Sequence, residues 1–183
     1  MALSYEVVFM GTIFVAGVYG VGKSTLCGQL ASILGIPAYS AGDLISQVNG
    51  EIYGVNKVVQ DKSINQDILA LVVDEKLKHS STILLAGHFC IFDKHNHVDK
   101  LPSDAFKKLH IQQILLLEAD ENRIIQNLNR RDGKHYTAQQ VSSLLIAERE
   151  AAKEIARING YRLSVHKMGF DEDDIHSCLS LLK

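Results

Sequence analysis

Gly17–Val18–Tyr19–Gly20–Val21–Gly22–Lys23–Ser24 has the form G-x-x-x-x-G-K-[ST]. Its glycines let the chain turn tightly and bring backbone N–H groups up to an anion with no side chain between them. Consecutive N–H groups in such a turn form a concave nest for phosphate oxygens, and the helix that follows adds the positive end of its dipole. Gly17, Tyr19, Gly20, Val21, Gly22, Lys23, Ser24 and Thr25 are therefore expected to hold a nucleoside triphosphate. Lys23 would reach the β- and γ-phosphates, the Ser24 hydroxyl would ligate Mg²⁺, and Thr25 would approach the α-phosphate. Upstream, Thr12–Ala16 is β-branched and apolar, as a buried strand requires. Downstream, Leu26, Cys27, Leu30, Ala31 and Leu34 share one face at helical spacing. Strand, glycine loop and helix in that order are the context the motif needs.

Beyond the loop, apolar runs alternate with helical patterns. Ile36–Ser40, Thr82–Ala86, Ile111–Leu117 and Tyr161–Val165 read as further strands. Asp43–Val48, Ser63–His79, Glu121–Asn129, Thr137–Asn159 and Asp171–Leu182 read as helices. Asp120 and Thr137 are expected N-caps, and Gly160 an expected C-terminal stop. Gly87–Pro102, rich in histidine, reads as irregular. This alternation predicts an α/β chain with helices on both faces of the sheet. Thr12–Ala16 and Thr82–Ala86, apolar but for their first threonine, fit a sheet covered on both sides. The expected fold is thus a three-layer P-loop NTPase with a central, mostly parallel five-stranded sheet, in one domain over residues 1–183.

Composition narrows the partners. A net charge of -2 argues against a nucleic-acid partner held by bulk electrostatics. The uncharged stretch Val7–Val18 is too short to span a bilayer, so no membrane partner is expected. Residues 1–9 read as an extension or an extra edge strand. Cys27, Cys90 and Cys178 are far apart in sequence and include no CxxC, which fits buried free thiols and a cytoplasmic location. The long helix 137–159 permits a monomer or a homodimer.

Chemistry-bearing residues cluster at strand ends and in one basic stretch. Asp43 follows the second strand, at the carboxyl edge where open α/β sheets bind ligands. It is open to three readings: a helix cap, a carboxylate holding Mg²⁺ or its water, or one orienting an acceptor hydroxyl. His88 ends the third strand, suited to touch an acceptor or the γ-phosphate, or to serve as a hydrogen-bonded structural residue. Asp93, His95, His97 and Asp99 read as a polar loop at the site. Arg123, Arg130, Arg131 and Lys134 gather cations on a helix end and the loop after it, as phosphoryl transfer needs. Arg130, Arg131 and Lys134 would form a short lid over about 130–136 that excludes water on closing, with Arg123 on the helix before it, or else stand as solvated helix-end charges that favour the dipole.

The whole chain resembles the nucleoside-monophosphate-kinase branch of P-loop proteins, and in particular archaeal-type adenylate kinases. The resemblance rests on the glycine loop, on Tyr39–Ser40–Ala41–Gly42–Asp43–Leu44, on Leu84–Leu85–Ala86–Gly87–His88 and on Asn129–Arg130–Arg131–Asp132–Gly133–Lys134. It implies an ATP- and Mg²⁺-dependent phosphotransferase with an acceptor region over about 41–80. Two departures stand beside it. Ala86–Gly87 occupies the strand end where such proteins carry a Walker-B Asp, leaving Ser24, Asp43 or, as a substitute, Glu118 for the metal. No arginine occurs between Met1 and Asn122, so an acceptor phosphate would rely on lysines such as Lys57. The expected activity is transfer of the γ-phosphate of ATP to a soluble small-molecule acceptor. The alternative is an ATP-binding, slowly hydrolysing regulatory module without such an acceptor.

Overall fold

A computed structural model describes residues 10–50, 62–132 and 135–183. In chain order the elements are β1 (Gly11–Ala16), α1 (Lys23–Leu34), β2 (Ala38–Ser40), α2 (Ala41–Asn49), α3 (Lys62–His79) and β3 (Thr82–Ala86). A small pair follows, β4 (Cys90–Phe92) and β5 (Val98–Lys100), then α4 (Ser103–Lys107) and β6 (Ile111–Glu118). The chain continues through α5 (Glu121–Asp132), α6 (Ala138–Asn159), β7 (Arg162–Lys167) and α7 (Asp173–Leu181).

Five strands form one sheet in the order β2-β3-β1-β6-β7, and every neighbouring pair is parallel. The expected sheet is thus found, wholly rather than mostly parallel. β1 lies at its centre and every residue of it is buried, as a strand covered on both faces must be. Val15 pairs with Ala86 of β3 and with Leu115 of β6, so the strand ends next to the glycine loop and next to His88 lie side by side. Phe14, Phe89 and Phe106 meet beneath this edge with ring centroids 4.8–5.7 Å apart.

Local chemistry sets the ends of the elements. Thr137 and Gln140 form a reciprocal capping box at the start of α6, and Gly160 at φ 70° ends it. The Asp120 carboxylate accepts the N–H groups of Asn122 and Arg123 at the start of α5. At α2 the cap is Ser40, whose Oγ accepts the Asp43 N–H at 3.4 Å. Asp43 is therefore not the cap, and its side chain stands in the first turn.

The stretch expected to be irregular holds an antiparallel hairpin instead, with Cys90 opposite Lys100 and Phe92 opposite Val98. The buried run Cys90–Ile91–Phe92 supplies a hydrophobic anchor. The Asp93 carboxylate closes the turn by accepting the N–H groups of His95 and His97 at 2.7 and 2.9 Å. Cys27, Cys90 and Cys178 are free and buried, and burial pushes each thiol up to about 12. No described helix is long and apolar enough to cross a membrane.

Candidate active site at the glycine loop

The glycine loop bridges β1 and α1. Gly17, Gly20 and Gly22 all have positive φ, and a Cβ at Gly17 would lie 2.7 Å from the Leu117 carbonyl oxygen. Here glycine is a steric requirement. Lys23 is folded over the loop, its Nζ donating to the carbonyls of Gly17 and Val18 at 2.7 and 2.9 Å. Ser24 and Thr25 open the first turn of α1 with exposed side chains. Asn127 of α5 donates to the Gly20 carbonyl at 2.9 Å and ties that helix to the loop.

A cavity of about 420 Å³ opens beside the loop. Gly20, Gly22, Tyr19, Lys23, Ser24 and Thr25 form one side, and Asp43, His88 and Arg131 reach the same space. Apolar side chains, among them Ile45, Leu69, Ile91 and Leu101, line the rest, together with Asn65 and Gln66. The Tyr19 ring packs on His88 at 4.3 Å between centroids, and burial pushes its hydroxyl pKa upward. Asp43 is the one carboxylate among the described lining residues. Together with the Ser24 hydroxyl it supplies hard oxygen donors of the kind Mg²⁺ takes.

A family model described as an AAA domain matches residues 16–145, well over half the chain. The chain belongs to this AAA-domain family. No curated protein sequence matches it. Among solved structures, this AAA domain is similar to a shikimate kinase from Acinetobacter baumannii in complex with shikimate. That match has a TM-score of 0.65 and 16% identity, covering 94% of this chain and 93% of the other. A gluconokinase from Sinorhizobium meliloti 1021 matches with TM-score 0.59 and 16% identity over 95% and 92% of the two chains. A shikimate kinase from Bacteroides thetaiotaomicron matches with TM-score 0.55 and 14% identity over 94% and 96%. At these identities the likeness shows the P-loop kinase fold.

The fold gathers some of the sequence-predicted residues and separates others. Lys23, Ser24, Thr25, Asp43, His88 and Arg131 share the cavity. The side chain of Val21 is fully buried beneath the loop and packs in the core. Arg130 and Arg131 sit in the last turn of α5 rather than in a loop, and Arg130 is exposed and off the cavity wall. Arg123, also off that wall, lies with its guanidinium 5.0 Å from the centroid of Phe170, whose ring edge approaches Gly22. Lys57 and Lys134 lie outside the described residues, as do residues 1–9. Asp93, His95, His97 and Asp99 stand on the hairpin, and none lines the cavity. Among the described residues no cluster of three or more His, Cys, Asp or Glu side chains is placed to hold a metal ion. Glu118 is held by the Arg149 guanidinium and is not on the cavity wall.

Gly87 explains the missing strand-end carboxylate. A Cβ there would lie 2.6 Å from Phe14 Cζ. The phenyl ring of the central strand fills the space that an acidic side chain would need.

Sequence reasoning missed two supporting groups. Asn127 gave no signal. Glu148 gave one: it is the charged member of the otherwise apolar stripe Val141, Leu144, Ala151, Ala152, Ile155. It is 1% exposed and accepts N–H groups from Gly17, Phe89 and Cys90. Burial pushes its pKa up, opposed by those N–H groups and by the Lys23 charge.

Proposed function

We propose that this AAA domain is a small-molecule kinase that transfers the γ-phosphate of ATP to a hydroxyl of a soluble acceptor. One observation carries the reading: the loop with Lys23, Ser24 and Thr25 opens into the same cavity as Asp43, His88 and Arg131. The likeness in fold to proteins titled gluconokinase and shikimate kinase supports it.

In this reading the nest and Lys23 hold the β- and γ-phosphates, and Arg131 draws on the charge that spreads over the moving phosphoryl group. Ser24 and Asp43 would hold Mg²⁺, which when bound neutralises phosphate charge. The acceptor oxygen bonds to the γ-phosphorus, the bond to the β–γ bridging oxygen breaks, and ADP leaves. The hydroxyl proton passes to solvent or to Asp43. His88 would orient the acceptor, with residues 41–80 forming its wall. The described residues of that stretch that line the cavity include no Lys or Arg, so the cation assigned to the acceptor is Lys57. Arg123 with Phe170, beside Gly22, offers a flat platform for the donor's base rather than a charge at the reacting phosphate. We further propose one domain over residues 1–183, with a short lid at about 130–136 that carries Arg131. We place the protein in the cytoplasm, as a monomer or homodimer, without a nucleic-acid partner.

The test is ATP-dependent phosphorylation across a panel of nucleosides, nucleotides and small hydroxy compounds. Lys23→Ala is expected to abolish turnover, and Arg131→Ala to lower kcat by about 10²–10³. Full activity in Lys23→Ala would sink the mechanism. The steric exclusion of a carboxylate at Gly87 favours a second reading, a slow NTPase module. ADP release that no acceptor accelerates would select it.

A further inference from the structure

Glu148 touches neither the open face of the glycine loop nor the cavity wall, yet it is bonded to a segment on each side. One carboxylate oxygen accepts the Gly17 N–H at 3.1 Å, both accept the Phe89 N–H at 3.0 Å, and the second accepts the Cys90 N–H at 2.7 Å. Gly17 opens the triphosphate loop. Phe89 and Cys90 follow His88, which lies on the cavity wall. A buried carboxylate is expensive unless hydrogen bonds and counter-charge offset its lost hydration. Here all its partners are donors, which suits the ionised form, because a protonated oxygen would point its hydrogen at another N–H.

The same loop residue joins Glu148 to Lys23. Gly17 gives its N–H to the carboxylate while its carbonyl accepts Lys23 Nζ. Lys23 also acts on Glu148 through its charge, and Tyr19 and Cys90 feel the carboxylate as well. A triphosphate in the nest would draw Lys23 off the Gly17 and Val18 carbonyls toward its own oxygens. Glu148 would then lose part of its counter-charge and lean harder on its three N–H donors, two of them on the acceptor side.

We infer that Glu148 is a positioning residue that couples occupancy of the glycine loop to the Phe89–Cys90 segment behind His88. The inference rests on the triphosphate reading of the loop. Its warrant is a shared set of hydrogen bonds, and the coupling is a difference in free energy that a variant can remove.

Glu148→Gln keeps the shape but puts an NH₂ donor among N–H donors. The full chain is studied by amide hydrogen exchange with and without a saturating non-hydrolysable ATP analogue, with binding followed separately by thermal shift. In the wild type the analogue is expected to change exchange at Phe89 and Cys90 by about tenfold. In Glu148→Gln the change falls below about twofold, and Glu148→Asp, which keeps the charge, lies between. A merely structural role would change exchange equally with and without the analogue. If Glu148→Gln does not fold, Lys23→Met at saturating analogue is the second variant, and it is expected to lose the response as well. A wild-type chain that binds the analogue without altering those two amides overturns the coupling and leaves the triphosphate reading intact. So does a variant that keeps the response. Failure of the analogue to bind overturns both.

Discussion

Gly87 shows how one missing side chain shapes the chemistry available at the sheet edge. The Phe14 ring stands 2.6 Å from where its Cβ would be, and ring and backbone both belong to the packed centre. Gly87→Ala is expected to cost about 1–3 kcal/mol in chemical unfolding, since a close-packed interior yields little. Stability unchanged within about 0.5 kcal/mol would show that Phe14 can move aside. Lys23, Ser24, Asp43 and His88 stand on one cavity wall, and their places there were legible because a motif or a strand end fixes each of them. The place of Glu148 was not. Helical period assigns Glu148 to the buried face, but the N–H groups it meets come from residues 58 to 131 positions away. The two neighbouring arginines show the same limit: spacing alone does not tell which of Arg130 and Arg131 turns inward.

Among the elements, the turn from β7 to α7 is gathered around the side chain of Asp174. Asp174 is buried and accepts the N–H groups of Gly169, Phe170 and Asp171 at 2.8, 2.7 and 3.3 Å, with His166 Nε2 2.7 Å away. Burial alone would raise its pKa, but these bonds outweigh burial and hold it below the usual carboxylate range. The unfolded chain binds its proton near the ordinary value of about 3.9. Asp174 therefore stabilises the fold fully above that pH, and the contribution is lost as pH falls through the lowered folded value. Asp174→Asn is expected to cost about 1.5–3 kcal/mol at neutral pH. Its gap from the wild type should close below about pH 4, measured by thermal unfolding across pH. A gap constant down to pH 2 would contradict this. The elements themselves were largely legible, because buried parallel strands and amphipathic helices carry opposite periods. The β4–β5 hairpin was not: three-residue strands are too short to show a period, and the histidines of its turn hid the buried anchor before them. α5 also runs on through Arg131, where a cluster of charge reads as a break but the helix dipole favours cations.

At the scale of the whole molecule, the strand order places the carboxyl ends of β1 and β3 together, and the loop and the cavity follow from that adjacency. A ligand there bridges several elements and acts on the stability of all of them. ATP at about 100 times its dissociation constant should add about 2.7 kcal/mol. For a chain of this size that is a rise in Tm of about 5–11 °C, read by calorimetry, and no rise at any ATP concentration would count against the loop as a triphosphate site. The three thiols have a use beyond packing. Cys27 lies on the helix that starts at the loop, Cys90 on the hairpin beside Glu148, and Cys178 on the last helix, and all are shut away with their protons held to about 12. A thiol-seeking dye can reach each sulfur only while its own element is open. The chain thus carries native stopwatches that need no engineered label: Cys90 times the opening of the hairpin, while Cys27 and Cys178, close enough to feel each other's charge, time the parting of α1 and α7.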